Sequence, residues 1–325
     1  MSLKYITPTE QFKRYLPKDY VELVDYGPFG KTQSEAGVNN IGQFKELVEE
    51  HPMCSGCWMA WYIRTFFASL PNPEETVTLG TAGCGRLAIS QAAVPFIYGN
   101  YGDQNAVASG LSRAFRLRFP DKKKDVITLA GDGGTMDIGF SMTMHSWIRQ
   151  ERFTTIMLDN EVYGNTGGQE SGMTQLGAIL KMAPTGKKFE KMNATELAKA
   201  AGCVYVVKMS PVNIKKAAKV IRRAIYAARE FGPTFIHVYT SCNIEYSIPT
   251  EDVFKDAKAK DKEGFAFEEY MADGVQEYLE RIEADEKEAA KVLKEASKAK
   301  SDEMESKKEA SKAKMIAELA KKGKG

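Results

Sequence analysis

The sequence has little that would take it to a membrane, to nucleic acid or into an oxidising compartment. No apolar run reaches the roughly 18 residues that a membrane-spanning helix needs. The stretch Met1-Ser2-Leu3-Lys4-Tyr5-Ile6-Thr7-Pro8 lacks the apolar centre of a signal peptide. Basic and acidic residues number 45 and 43, a net charge of +2, so there is no electrostatic footprint for nucleic acid. A cytoplasmic protein is expected, with its five cysteines reduced or metal-bound rather than paired. Residues 281–325 contain no aromatic residue and are dominated by Ala, Lys and Glu. Their thin apolar stripe (Val292, Leu293, Met304, Met315, Ile316, Leu319) predicts a solvated helical extension or an arm on a partner subunit.

The rest alternates. Apolar runs over 77–80, 126–130, 153–158, 203–207 and 234–239 read as strands. Helical patterns over 58–70, 106–119, 138–149, 195–201 and 213–230 lie between them. This predicts an α/β fold with a doubly wound, mostly parallel sheet. Three parts are expected: an irregular arm over 1–50, a binding domain over 51–250, and a charged, mainly helical extension over 251–325.

Two strand ends carry candidate chemistry. The run Val126-Ile127-Thr128-Leu129-Ala130 ends in Gly131-Asp132-Gly133-Gly134-Thr135-Met136-Asp137. Glycines allow a sharp turn and close phosphate approach, and an acidic residue there suits a divalent cation. The run Thr154-Thr155-Ile156-Met157-Leu158 ends in Asp159-Asn160. Both would lie at the carboxyl edge of one sheet, where open α/β sheets bind ligands.

The cysteines are Cys54, Cys57, Cys84, Cys203 and Cys242. Cys54-x-x-Cys57 suits a redox dithiol, a zinc half-site or an iron–sulfur half-site. Cys84 and Cys242 stand alone at later strand ends, which suits a cluster with ligands distant in sequence, with zinc or free thiols left open. Cys203 opens an apolar strand and reads as a buried small residue.

Together these motifs resemble the thiamine-diphosphate-binding beta subunits of the 2-oxoacid:ferredoxin oxidoreductases, the pyruvate synthase family. The resemblance runs from about His51 to Cys242. It rests on His51-x-x-Cys54-x-Gly56-Cys57, Ala82-Gly83-Cys84, Gly131-Asp132-Gly133-Gly134-Thr135-x-Asp137-Ile138-Gly139, and Asp159-Asn160-Glu161-x-Tyr163-x-Asn165-Thr166-Gly167, with Cys242 after a late strand. Twenty-six residues separate Gly133 from Asn160.

The resemblance implies oxidative decarboxylation of a small, pyruvate-like 2-oxoacid with one-electron transfers through a [4Fe-4S] cluster to ferredoxin. Asp132, Asn160 and the carbonyl of Val162 would hold Mg2+. Gly131, Gly133, Gly134, Thr135, Asn165 and Thr166 would lie at the thiamine diphosphate. Cys54, Cys57, Cys84 and Cys242 would hold the cluster. The chain lacks a Cys-x2-Cys-x2-Cys-x3-Cys run, so relay clusters belong to another polypeptide. Alpha, gamma and ferredoxin-like delta subunits are the implied partners, with an alpha-subunit glutamate activating the cofactor and coenzyme A as acyl acceptor. The sequence departs from the family pattern at Trp58, at Asn100–Asn105 and at Asn243–Tyr246. Those departures keep oxalate (without coenzyme A), 2-oxoglutarate and branched-chain oxoacids open, beside a non-redox thiamine decarboxylase with structural cysteines. His51 is a candidate proton partner or thiamine contact, weighed against a structural hydrogen bond. His145 and His237 are expected to be packing or interface residues. Arg86 is a candidate anion contact or an interface ion pair.

Overall fold

The computed structural model describes residues 51–92, 94–292 and 295. The expected arm over 1–50 and the end of the tail lie outside these. Seven strands form one sheet: β1 (Thr76–Gly80), β2 (Phe96–Tyr98), β3 (Asp125–Gly131), β4 (Thr154–Asp159), β5 (Tyr205–Met209), β6 (Thr234–Tyr239) and β7 (Glu268–Met271). The order is β2-β1-β3-β4-β6-β5-β7, parallel throughout except β7, which pairs antiparallel to β5. The helices are α1 (Trp58–Ala68), α2 (Arg86–Ile89), α3 (Gln104–Arg118), α4 (Phe140–Ile148), α5 (Ala194–Ala200), α6 (Ile214–Glu230) and α7 (Val253–Lys260). The expected doubly wound, mostly parallel sheet is the fold observed.

Burial explains the central strands. β4 and β6 are buried along their whole length, so both faces are covered, and the polar side chains they carry (Thr154, Thr155, Thr234, His237) are hydrogen-bonded. α6 buries Ala217, Ile221, Ala224, Ile225 and Ala228 along one stripe at helical spacing. Beneath β4 and β6, Trp147 and Phe235 approach to 4.9 Å between ring centroids, within a core that includes Met157, Ala198, Cys203 and Val206. Phe235→Ala is expected to cost about 3–5 kcal/mol of stability, read from denaturant unfolding, because the cavity would open among fully buried neighbours. At the amino end of β3, Arg229 donates to both carboxylate oxygens of Asp125 at 2.8 and 2.6 Å, pinning α6 to the sheet far from the functional edge.

One boundary moves. The first compact unit runs to Val275, and the second is Gln276–Gly325. The expected extension over 251–325 thus begins too early, because α7 and the edge strand β7 belong with the sheet. β7 reads Glu268-Glu269-Tyr270-Met271 and is largely exposed, so it carries no apolar pattern. In the second unit the described residues through 292 are helical, as expected for this end of the chain. Among the described residues no helix is long and apolar enough to cross a membrane.

Candidate cofactor and metal site

Four strand ends share one edge. β1 runs into Thr81-Ala82-Gly83-Cys84, β3 into Asp132-Gly133, β4 into Asn160-Glu161, and β6 into Thr240-Ser241-Cys242. The winding reverses between β1 and β3, and the crevice beyond such a reversal is where this architecture binds ligands. A cavity of about 330 Å³ opens there. Its walls are Met59, Ala82–Gly85, Tyr101, Gly131–Gly133, Ile138, Asn160 and Val162–Thr166.

The turn after β3 is π-helical over Gly133–Asp137, not a simple loop before a helix. Ile138 N donates to Gly133 O at 3.0 Å, and the buried Gln104 amide donates to Gly134 O at 2.8 Å. Single π turns recur at functional sites. Gly133 admits no side chain, since a Cβ would stand 2.3 Å from the Tyr163 ring and 2.9 Å from the Tyr101 hydroxyl. The two tyrosine rings lie 6.3 Å apart over this turn. Thr135 donates to Gly131 O at 2.9 Å, closing the turn.

Three oxygens converge beside it. The Asn160 side-chain position that faces Val162 O at 2.7 Å and Asp132 Oδ1 at 3.1 Å is occupied by oxygen as placed, so only acceptors meet there. Rotating the amide would satisfy them with hydrogen bonds, and a cation between them would do so without rotation. Neighbouring oxygens around an octahedral magnesium are about 2.9 Å apart, from metal–oxygen distances of about 2.05 Å. One carboxylate, one amide and one carbonyl at these separations fit that ion. Burial, then the Asp159 carboxylate, hold Asp132 well above the ordinary carboxylate range, and the bond from Ser171 opposes them. A divalent cation would reverse both unfavourable effects.

Glu161, between two of these donors, takes a left-handed φ of 59°. Such strain in a non-glycine residue persists only where its surroundings fix it. Its buried carboxylate accepts from Lys191 and Lys260, both at 2.9 Å, and its carbonyl accepts from Thr174 at 2.6 Å and Tyr246 at 2.8 Å. Asp137 accepts from Tyr163 OH and from Gly172 N, each at 2.9 Å. Asp159 is bonded to His237 Nε2 at 2.6 Å and accepts from Glu161 N at 2.8 Å. His237 is expected to be a packing or interface residue. It also anchors the carboxylate next to Asn160.

The cysteines expected to act together are electrostatically in reach of one another. Burial pushes the Cys84 thiol up to about 12, with further contributions from Cys57, Cys242 and Cys54. Burial also raises Cys57, against hydrogen bonds from the Ala60 and Met59 amides at the start of α1. It raises Cys242 too, against bonds from the Glu245 and Ile244 amides. A Cβ on Gly164 would stand 3.6 Å from Sγ of both Cys84 and Cys242, so this glycine lies against two of the sulfurs. Asn243 donates to Ser55 O at 3.0 Å, tying the last cysteine segment to the first. Cys203 sits apart, buried in the Trp147 core, as expected.

Among the described residues no three His, Cys, Asp or Glu side chains converge on the position of one ion. Thiolates around a single zinc lie about 3.8 Å apart, from zinc–sulfur bonds of about 2.3 Å in a tetrahedron. A four-iron cubane stands between its thiolates and needs a wider cage. Asn165 and Thr166 line the cavity mouth and are exposed. His51 is not among the lining residues, and its buried Nδ1 has no hydrogen-bond partner among the described residues. Arg86 is exposed and lies 5.2 Å over the Tyr98 ring. Glu161, Gly164 and Ser171 are site residues to which sequence reasoning gave no role. Glu161 is named in the quoted motif and Gly164 fills an unspecified position within it, and their contacts come from residues distant in sequence.

The family profile described as "Thiamine pyrophosphate enzyme, C-terminal TPP binding domain" matches residues 81–238. The chain is 32% identical over 225 residues to pyruvate synthase subunit PorB of Methanosarcina barkeri, covering 65% of this chain and 73% of that protein. It is 30% identical over 217 residues to PorB of Methanocaldococcus jannaschii, covering 62% and 71%. Against the 2-oxoglutarate synthase subunit KorB of the same organism it is 28% identical over 200 residues, covering 60% and 71%. Among solved structures, a 2-oxoglutarate:ferredoxin oxidoreductase from Magnetococcus marinus superposes with a TM-score of 0.55 over 65% of this chain and 72% of that one. At 23% identity this is a likeness of fold.

Proposed function

Since the chain belongs to the family of thiamine-diphosphate-dependent beta subunits of the 2-oxoacid:ferredoxin oxidoreductases, we propose that it serves the oxidative decarboxylation of a small, pyruvate-like 2-oxoacid in a hetero-oligomer, passing electrons through its own [4Fe-4S] cluster to ferredoxin. The observation that carries this reading is the shared sheet edge, where three converging oxygens and Cys84 border one crevice and Cys84 interacts electrostatically with Cys57, Cys242 and Cys54.

When bound, thiamine diphosphate supplies the carbon nucleophile for a 2-oxoacid, and an iron–sulfur cluster takes up electrons singly. The chain's residues bind and shield. Asp132, Asn160 and the Val162 carbonyl hold Mg2+, and the π turn from Gly133 to Thr135 lies against the diphosphate. Tyr101, Tyr163 and Met59 wall the crevice, which keeps water from the reacting centre. Cys54, Cys57, Cys84 and Cys242 hold the cluster, and the amide donors on Cys57 and Cys242 favour electron uptake there. No residue of this chain is placed as the activating acid, which we assign to a partner alpha subunit. Gamma and delta subunits and coenzyme A complete the assembly, which acts in the cytoplasm.

Gly133→Ala is expected to weaken thiamine diphosphate binding at least about tenfold, about 1.4 kcal/mol, because the new methyl meets the tyrosine rings at the diphosphate turn. Calorimetric titration of the complex checks this. The substrate is tested by viologen reduction with pyruvate, 2-oxoglutarate, branched-chain oxoacids and oxalate, with and without coenzyme A. Fastest reduction with pyruvate, dependent on coenzyme A, is expected. Preference for 2-oxoglutarate would align the chain with the KorB relative, and coenzyme-independent turnover of oxalate would replace the pyruvate assignment. Decarboxylation without viologen reduction would overturn the redox reading.

A further inference from the structure

Segment Ser171-Gly172-Met173-Thr174 belongs to a long connection between β4 and α5, and the metal-binding motif ends before it. Ser171 is 2% exposed and Thr174 0%. The segment touches Asp132 and two groups beside the metal site, Asp137 and the Glu161 carbonyl. The Ser171 hydroxyl donates to Asp132 Oδ2, the carboxylate oxygen other than the Oδ1 that faces Asn160. Gly172 N donates to both oxygens of Asp137, at 2.9 Å each. Thr174 donates to the carbonyl of Glu161 at 2.6 Å, between Asn160 and Val162.

Ser171 Oγ accepts from Met173 N at 3.2 Å, and Thr174 Oγ1 accepts from Ser171 N at 2.8 Å while giving its own proton to Glu161 O. Ser171 Oγ also lies 3.3 Å from Thr174 Oγ1, and its shorter contact, to Asp132, takes its proton. The backbone cannot drift either, because the buried Lys187 ammonium donates to Ser171 O. Asp132 is repelled by Asp159 and Asp137, and with the Asn160 amide as placed its side-chain donor among the described residues is Ser171. Without that hydroxyl Oδ2 loses its side-chain donor.

We propose that Ser171 is a positioning residue for the metal site: its hydroxyl holds Oδ2 of Asp132 so that Oδ1 alone is presented beside Asn160 and the Val162 carbonyl, and this sets magnesium affinity. The inference rests on the magnesium reading given above. Outer-shell partners of metal ligands are typically worth tenfold to a hundredfold in affinity. Thiamine diphosphate binding to the assembled complex, titrated with magnesium in a calorimeter, reads this without turnover. Ser171→Ala is expected to raise the magnesium concentration at half-saturation about tenfold to a hundredfold, with full binding restored at excess magnesium. Ser171→Cys, close in size and a weak donor, covers the case in which the alanine variant does not fold, and the same displacement and restoration are expected of it. An unchanged half-saturation point, or a binding loss that excess magnesium does not restore, overturns the proposal. Asp132→Ala separates the two levels: if it binds with an unaltered magnesium dependence, the metal-site reading itself falls. If it loses binding while both Ser171 variants match the wild type, only the role of Ser171 falls.

Discussion

Asp132→Ala is expected to leave the complex unable to retain thiamine diphosphate through gel filtration in magnesium buffer, with no loss of thermal stability. Asp132 is the only carboxylate among the three converging oxygens, so its removal takes away the one full charge that faces the cation. The affinity loss should be at least about a hundredfold, the upper end of what losing a mere outer-shell partner costs. Stability should hold or rise. The buried carboxylate is disfavoured by burial and by Asp159 and Asp137, and the alanine removes both penalties. Such a trade of stability for binding is common at functional sites. Cofactor content by chromatography, together with a melting curve, checks both halves. Unchanged retention would show that the metal is held elsewhere.

Cys84→Ser is expected to remove about four iron atoms per chain and abolish oxoacid-dependent viologen reduction, while thiamine diphosphate is retained. Cys84 is the cysteine that lines the crevice, so its sulfur borders both halves of the site. Its thiol is pushed up to about 12 by burial and by the other three sulfurs, so the empty cage disfavours thiolates and iron is what stabilises them. A serine hydroxyl is far less acidic still. Cys203→Ser gives the contrast: that sulfur lies in the Trp147 core, and iron content should not change. Iron loss in Cys203→Ser, or none in Cys84→Ser, would contradict the assignment. Stoichiometric zinc in the wild type would favour the non-redox alternative.

The parts of the fold that could be read from sequence are those set by local pattern. β6 lies over Thr234–Tyr239, as its β-branched and aromatic run indicates, and α6 begins within a residue of its amphipathic pattern. β7 was missed because an exposed edge strand rich in glutamate has no buried face to show. The sharp turn after β3 is legible in its glycines, but its π form is not, since glycines signal a turn but not which hydrogen bonds close it. Asp132 and Asn160 could be read because their chemistry is in their type and spacing. The roles of Glu161, Gly164 and Ser171 come from long-range partners: Lys260 lies 99 residues from Glu161, and Ser171 lies 39 from Asp132. A residue that acts by holding another has no signature of its own.

The central claim is that one chain carries both the thiamine diphosphate cradle and the first electron acceptor. Paramagnetic resonance of the anaerobic complex, frozen after addition of the preferred 2-oxoacid, tests it most directly when wild type and Cys84→Ser carry equal thiamine diphosphate. The account predicts a reduced iron–sulfur signal in the wild type and none in the variant. An undiminished signal in Cys84→Ser would contradict it, because the first electrons would then go to a cluster that these cysteines do not hold.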